Sequence, residues 1–474
     1  MHYVDVISNH KEALEKRLNA DDKPTALETL APLRWDDEHE ADNKLFLKWA
    51  KAKGRELIRD RDVAKAQHRA RVIEALGKYP ANAMGLIEIL ADLRRARVTY
   101  NGLLTALDVH AGERTEILIT DFARDARITA ADLRLELARE EINDAADQWF
   151  ARAKRARFND IRNSIAARAD FDWLDVARNC FHTGEDMSAE LVAAVLRKFV
   201  HQVVSKMHRA TVGWHLMPIL VGPQGEGKSY FIEKLTGPLC ELMRQTDFKA
   251  LTDDRNIELW NSSILFLDEM SYASRSDVEA VKHVITADTL DRRPMRSNGI
   301  QQVRQCATMI GASNKEVEEN IRDETGARRF FGLRFKRPPA GFLQGLDWSA
   351  AWQSVKHTDA DPLEEHRAEV ARIQAATRYR SPVEDWIENI GEYSAGTIQA
   401  GEKLRIKDLY DDYLSHRRAV TGDRDPVVKT MDQFSIELAR LIRNAGDDSK
   451  MAKDKDRKGA FYMMRGQPAL RVVQ

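Results

Sequence analysis

The amino-acid sequence predicts a multidomain protein: a helical N-terminal region, a central α/β domain on a parallel sheet, and a small C-terminal unit of helices followed by a hairpin. Three observations carry this expectation. Residues 1–200 are highly charged and keep near-helical apolar spacing, as in ADLRLELAREEINDAADQWF, where Leu135, Ile142, Ala146 and Trp149 recur. From about residue 205 short continuous apolar runs replace that pattern: LMPILV (216–221), ILFLD (264–268) and ATMIGAS (307–313). Runs of strand length, with helical text between the first two, are what a sheet covered on both faces requires. Beyond residue 381 helical spacing returns and ends in KMAKDKDRKGAFYMM (450–464), a charged turn leading into a strand.

The expected boundaries follow these changes of texture. Residues 1–200 form a helical collar or oligomerisation region, 201–345 the α/β core, 346–380 a helical linker and 381–474 the C-terminal domain. RPPAGFLQG (337–345) carries the Pro and Gly that close the core. A length of 474 residues fits this division at about 150 residues per domain.

Composition narrows the function classes. With 43% hydrophobic and 31% charged residues the chain can bury cores, which excludes wholesale disorder. Lys+Arg 74 against Asp+Glu 75 leaves a formal charge of −1, so any nucleic-acid contact must come from local basic clusters. Cys180, Cys240 and Cys306 lie far apart with no CxxC pair, which fits a reducing compartment and offers no zinc site. The N-terminus has no signal-type apolar stretch, and no run of 18 apolar residues occurs, so a cytoplasmic protein without a membrane span is expected. In the N-terminal region Arg152, Lys154, Arg155 and Arg157 are the candidates for direct nucleic-acid contact, against the plainer reading of a solvated helix face.

The most informative stretch follows the first apolar run. Gly222, Pro223, Gln224, Gly225, Glu226, Gly227, Lys228 and Ser229 fit GxxxxGK[ST] at every fixed position, between a strand and a helix. Gly222, Gly225 and Gly227 allow positive φ angles that turn successive backbone N–H groups inward. Those groups and the helix N-terminus hold a β-phosphate, Lys228 reaches the β- and γ-phosphates, and the Ser229 hydroxyl ligates Mg²⁺. ATP and Mg²⁺ are therefore the expected cofactors. The helix SYFIEKLT should stop at Gly237-Pro238.

Four further features complete the expected site. ILFLDE (264–269) ends in two acids: Asp268 as the Mg²⁺ residue and Glu269 as the group that polarises water. CATMIGASN (306–314) ends in Asn314, placed to contact the γ-phosphate or orient that water; the alternative is a helix N-cap. Ser276-Asp-Val-Glu279 reads as a capping box opening a helix. It leads to a basic hairpin in which Asn298-Gly299 is the turn signal and Arg292, Arg293, Arg296 and Arg304 are the candidates for DNA or intersubunit contact. DETGARRFFGLRF (323–335) puts Arg328 and Arg329 ahead of an aromatic strand, either one suited to an arginine finger supplied to a neighbouring subunit.

Taken in order, GPQGEGKS (222–229), LDE (267–269), SDVEAVKHVIT (276–286), DRRPMR (291–296), GASN (311–314) and DETGARRFF (323–331) resemble the virulence-associated E family of phage and mobile-element proteins, within the AAA+-like superfamily 3 helicases. The resemblance implies a ring-forming, hexameric assembly of P-loop ATPase subunits acting on single-stranded or forked DNA. The C-terminal part is similar to the winged-helix module of phage and plasmid primase-helicases. There Ile406, Leu409, Tyr410, Tyr413 and Leu414 form one helix core, Thr430–Gln433 caps a second helix with Phe434, Leu438, Leu441 and Ile442 inward, and a basic wing carries Lys450, Lys453, Lys455, Arg457 and Lys458. Many relatives add an N-terminal primase with a carboxylate cluster on strands. No such cluster precedes residue 200, so a separate primase or polymerase partner is expected.

The leading expectation is an ATP-dependent, hexameric-ring DNA helicase or translocase in phage, prophage or plasmid replication. The alternative is an ATP-switched DNA-binding initiator, regulator or defence protein without processive unwinding. DNA stimulation of ATP hydrolysis separates the two.

Overall fold

In the computed structural model, which describes residues 3–20, 40–53, 60–108, 112–268, 275–293, 299–317, 329–376, 380–390, 403–421, 429–446, 449–457 and 459–465, the chain divides into two units, Met1–Ser164 and Ile165–Gln474. The first unit contains α1 (Tyr3–Asn19), α2 (Glu40–Lys53), α3 (Asp60–Leu76), α4 (Ala83–Leu93), α5 (Ile119–Asp132) and α6 (Arg139–Ser164). Asn82 starts α4 by accepting the Gly85 N–H at 2.9 Å. Leu86, Ile87 and Leu90 of α4 meet Phe122 and Ala126 of α5 and Ile142 and Ala146 of α6 in one core. Phe122 and Trp149 stack there with ring centroids 5.3 Å apart.

This unit is not wholly helical, which corrects the expectation for the region. A three-stranded antiparallel sheet, β1 (Arg97–Val98), β2 (Leu104–Leu107) and β3 (Arg114–Ile117), lies between α4 and α5 in the chain. Its strands are too short to leave a clear period in sequence. In β2 Leu104 and Ala106 are buried and Thr105 and Leu107 are not, the period of two a half-buried strand requires.

The second unit opens with α7 (Trp173–Cys180) and α8 (Ala189–Met207), which sit in this unit although helical text had placed them with residues 1–200. Helix α8 is buried nearly all round, with Leu191, Val195, Phe199 and Val203 fully buried. Two of its polar side chains, Gln202 and Lys206, are satisfied inside. Gln202 donates to Leu216 O at 2.8 Å and accepts from Leu216 N at 2.7 Å, and Lys206 Nζ reaches Gln305 Oε1 and Ala307 O.

Those contacts fasten α8 to the entry of the central sheet. The sheet comprises β4 (Met217–Val221), β5 (Met243–Thr246), β6 (Ile264–Leu267), β9 (Thr308–Ser313) and β10 (Phe330–Arg334) in the order β10-β4-β9-β6-β5, all parallel. Between β6 and β9 the chain makes α11 (Arg275–Thr286) and an antiparallel hairpin of β7 (Thr289–Arg292) and β8 (Gln301–Arg304). The apolar runs of β4, β6 and β9 are buried throughout, as their sequences predict. Helix α9 (Lys228–Thr236) follows β4 and is capped by Gly237; α10 (Phe248–Thr252) follows β5.

After β10 come α12 (Phe342–Gly345), α13 (Trp348–Gln353) and α14 (Arg367–Ala376). This stretch is packed rather than a free tether. Trp352 is fully buried and donates to Leu235 O of α9 at 2.6 Å, and Trp348 meets Phe231 edge to face. The remaining elements are α15 (Pro382–Glu388), α16 (Ile406–Thr421), α17 (Met431–Ala445) and the antiparallel pair β11 (Met451–Asp456) and β12 (Gly459–Met464). Leu404 bridges Tyr462 as a third, one-residue strand. Leu409, Tyr413, Phe434 and Leu438 form the core with Trp386 and Met451. The capping box at Thr430 and Gln433 is formed in both directions. Among the described residues no helix is long and apolar enough to cross a membrane.

Candidate functional site

The phosphate loop stands at the C-terminal end of β4, with the ends of β9 and β6 beside it. Val221 is level with Ser313 and Leu267 with Gly311, so the residues after these strands are brought to one edge of the sheet. Open parallel sheets place ligand crevices at this end. Gly225 and Gly227 take φ of +85° and +97°, a region that costs a residue with a Cβ. Gly222 serves differently from the sequence expectation. It has no positive φ, but a Cβ there would stand 3.0 Å from Phe335 O, so it is a close-approach glycine.

A cavity of about 260 Å³ opens over the loop, lined by Gln224, Gly225, Gly227, Lys228, Ser229 and Tyr230, and closed on the other side by Asp268 and Ala312–Asn314. Gly222, Pro223 and Glu226 are outside that lining, and one Glu226 carboxylate oxygen is buried without a hydrogen-bond partner among the described residues. The Lys228 ammonium donates to Gly222 O at 2.7 Å, Pro223 O at 2.8 Å and Asn314 Oδ1 at 2.8 Å. Ser229 Oγ donates to Asp268 Oδ1 at 2.8 Å. Lys228, Ser229, Asp268 and Asn314 thus converge from three strand ends. A hydroxyl and a carboxylate side by side, next to a cation and a helix N-terminus, suit a hydrated Mg²⁺ on a phosphate chain. Among the described residues no three His, Cys, Asp or Glu side chains cluster as a metal cage.

Two contacts were not legible beforehand. Arg337, just beyond β10, donates from Nη2 to Gly225 O at the loop apex, at 2.7 Å. Tyr230 lies in the cavity wall, and its hydroxyl accepts from Gln344 Nε2 at 3.0 Å. Tyr230 adjoins the motif and could have been noticed; nothing in the text around Arg337 signals its contact.

The arginines divide. Arg329 precedes β10, and its carbonyl accepts from Met217 N, the first residue of β4. It therefore stands at the N-terminal end of the sheet, about 16 Å of strand from the phosphate loop at the other end. Glu269, Arg296, Arg328 and Lys458 lie outside the described residues, as do the side chains of Ser276 and Glu279.

The basic hairpin is present, with one correction. Register runs from Thr289↔Arg304 to Arg292↔Gln301, and Asn298 of the expected turn lies outside the described residues. Within that register buried Leu290 pairs with buried Val303. Arg292 shares the inward face with Leu290. It is buried, stacks 5.1 Å over the Trp260 ring and donates to Leu251 O at 3.4 Å, so it is a core residue and not a DNA contact. Strand parity would have revealed this. Arg293 and Arg304 are exposed.

On the C-terminal hairpin Lys453, Lys455 and Arg457 are exposed, with Lys453 Nζ 5.5 Å from the Tyr462 ring centroid. Lys450 instead donates to Glu388 O. Asp456 is held by both 2.9 Å bonds from Arg405, which neutralises one of the two carboxylates of this strand and leaves Asp454 exposed among the basic residues. In the N-terminal unit Lys154 Nζ lies 5.9 Å from the rings of both Tyr100 and Phe150, Arg152 is 3.9 Å from Glu88, and Arg155 and Arg157 are exposed.

Residues 168–379 match the family model of the virulence-associated protein E-like domain, which bears out the family resemblance for that stretch. Among solved structures, the chain is similar to the apo structure of the NrS-1 C-terminal region (305–718), at 12% identity and a TM-score of 0.41, over 82% of this chain and 100% of that one. A second apo structure of the same region, in its A form, gives 14% identity and a TM-score of 0.41 over 64% and 78%. No curated protein matches the chain.

Proposed function

We propose that this chain is an Mg²⁺- and ATP-dependent DNA helicase or translocase that assembles as a ring, hexameric in the leading case, in the replication of a phage, prophage or plasmid. The observation that carries the proposal is the convergence of Lys228, Ser229, Asp268 and Asn314 on one cavity above a glycine loop and a helix N-terminus.

The roles follow from placement. Loop N–H groups hold the β-phosphate, and Lys228 bridges to the γ-phosphate while Asn314 fixes its ammonium. Ser229 and Asp268 would hold a hydrated Mg²⁺, which when bound would neutralise phosphate charge. Glu269 takes a proton from the attacking water, whose oxygen bonds to the γ-phosphorus as the bond to the ADP oxygen breaks. Arg328 or Arg329 of a neighbouring subunit stabilises the transferring group; the location of Arg329 at the far end of the sheet favours supply to another copy. Arg293, Arg304 and Arg296 are the hairpin residues offered to single-stranded or forked DNA. The order helix, single bridge, helix, helix, hairpin in residues 382–464 supports a winged-helix reading, with Lys453, Lys455, Arg457 and Lys458 on DNA. A separate primase or polymerase is the expected partner.

The test is ATP turnover of the full chain with and without single-stranded DNA, beside Glu269→Gln and Lys228→Ala. A DNA-stimulated rate lost in both variants is expected. A rate indifferent to DNA would sink the motor reading in favour of an ATP-switched initiator, regulator or defence protein.

A further inference from the structure

Tyr230 is the sole aromatic side chain in the wall of the phosphate cavity among the described residues, and it is 39% exposed. Its position relative to the phosphates can be derived from the helix it starts. Lys228 points at Asn314, the γ-phosphate end. Successive helix residues are turned by about 100°, so Tyr230 projects roughly opposite to Lys228. A triphosphate whose γ end lies at Asn314 must leave the loop on the side of Tyr230. The cavity, at about 260 Å³, is below the ~300 Å³ lower range of pockets that enclose a whole ligand. It has room for phosphates, and the nucleoside must lie outside, against the exposed ring.

The ring is held for such a contact. Its hydroxyl accepts from Gln344 Nε2 at 3.0 Å, and Lys234 Nζ sits 5.3 Å from its centroid. A phenol restrained at its oxygen and by a cation loses little further freedom when a base stacks on it.

We propose that Tyr230 is the base-stacking residue of the nucleotide site, with Gln344 as its positioning residue, so that the site takes a nucleoside triphosphate and not merely a phosphate chain. The proposal rests on the phosphate-loop reading, and its test keeps the two apart. Binding of Mg·ATP and of Mg·tripolyphosphate to the full chain is measured by calorimetry for wild type, Tyr230→Ala, Tyr230→Trp, Gln344→Ala and Lys228→Ala. Tyr230→Ala should weaken ATP by roughly 10- to 100-fold and leave tripolyphosphate unchanged. Tyr230→Trp should retain ATP, and Gln344→Ala should fall between. Unchanged tripolyphosphate affinity shows that the loop is folded. Equal loss for both ligands, or no loss for ATP, would overturn the stacking role. Wild type that binds neither ligand, or Lys228→Ala that binds both normally, would instead overturn the phosphate-loop reading beneath it.

Discussion

Replacing Arg337 by alanine should raise the ATP concentration needed for half-maximal turnover without changing the maximal rate. The guanidinium holds Gly225 O, the apex of a loop whose amides must face inward before phosphate arrives. A hydrogen bond from a charged donor contributes about 1.5–3 kcal/mol when buried. Arg337 is exposed, and solvent competes for both partners, so about 1 kcal/mol is a reasonable share. That share corresponds to roughly fivefold in apparent affinity. The loss should fall on KM, because the bond shapes the loop in every state and favours no one step of the reaction. Arg337→Lys should recover part of it, since an ammonium can reach one carbonyl but lacks the rigid fork. The assay is steady-state ATP turnover, with the unfolding midpoint as a control. An unchanged KM, or a fall confined to kcat, would refute the reasoning and make Arg337 either incidental or a direct contact of the reacting group.

Three other outcomes are expected. Burial, with the nearby Lys206 and Lys198 charges, lowers the His215 pKa from 6.5 to about 4. The unfolded chain then binds a proton that the folded one refuses, so stability is complete above pH 6.5 and falls by up to about 3 kcal/mol toward pH 4; His215→Gln should flatten that part of a denaturation series, and an unaltered slope would exclude the histidine as its source. Lys198 is 1% exposed and donates to Asp361 Oδ2 at 2.6 Å, so Lys198→Ala should cost about 3 kcal/mol by stranding the carboxylate, whereas Lys198→Met with Asp361→Leu should recover most of it in urea unfolding. Mixing inactive Lys228→Ala with inactive Arg328→Ala/Arg329→Ala should restore turnover toward about a quarter of wild type, since hybrid contacts regenerate complete sites; a mixture that stays inactive would argue against shared sites.

Legibility followed burial and period. The strands β4, β6 and β9 announce themselves because both their faces are covered and all their residues are buried, most of them apolar. Strand β5, Met-Arg-Gln-Thr, does not: it lies at one of the sheet's two edges, with β6 as its one neighbour among the described residues, and its residues are only partly buried, so its composition was free to stay polar. The phosphate loop, Asp268 and Asn314 could be placed because each ends a legible strand. The inward turn of Arg292 was misread because basic residues near a turn suggest a charged surface, while the period of two that buries Leu290 also buries Arg292. Arg337 and Gln344 act through contacts with residues more than a hundred positions earlier in the chain, and no local pattern encodes such a meeting.

The parallel sheet decides where the proposed arginine finger could act. All five strands run the same way, so everything that follows a strand gathers at one end and everything that precedes one gathers at the other. Lys228, Ser229, Asp268 and Asn314 follow β4, β6 and β9; Arg329 precedes β10. No adjustment of side chains spans a strand's length, about 16 Å, and β10 is hydrogen-bonded to β4 along its whole extent. If Arg329 acts on a phosphate at all, that phosphate is held by another copy of the chain. Repeating that contact from one copy to the next is a heterologous association, which closes into a ring when the rotation permits. On the proposed function, the separation of the two charged ends is the reason to test ATP turnover in the assembled protein and not in the single subunit.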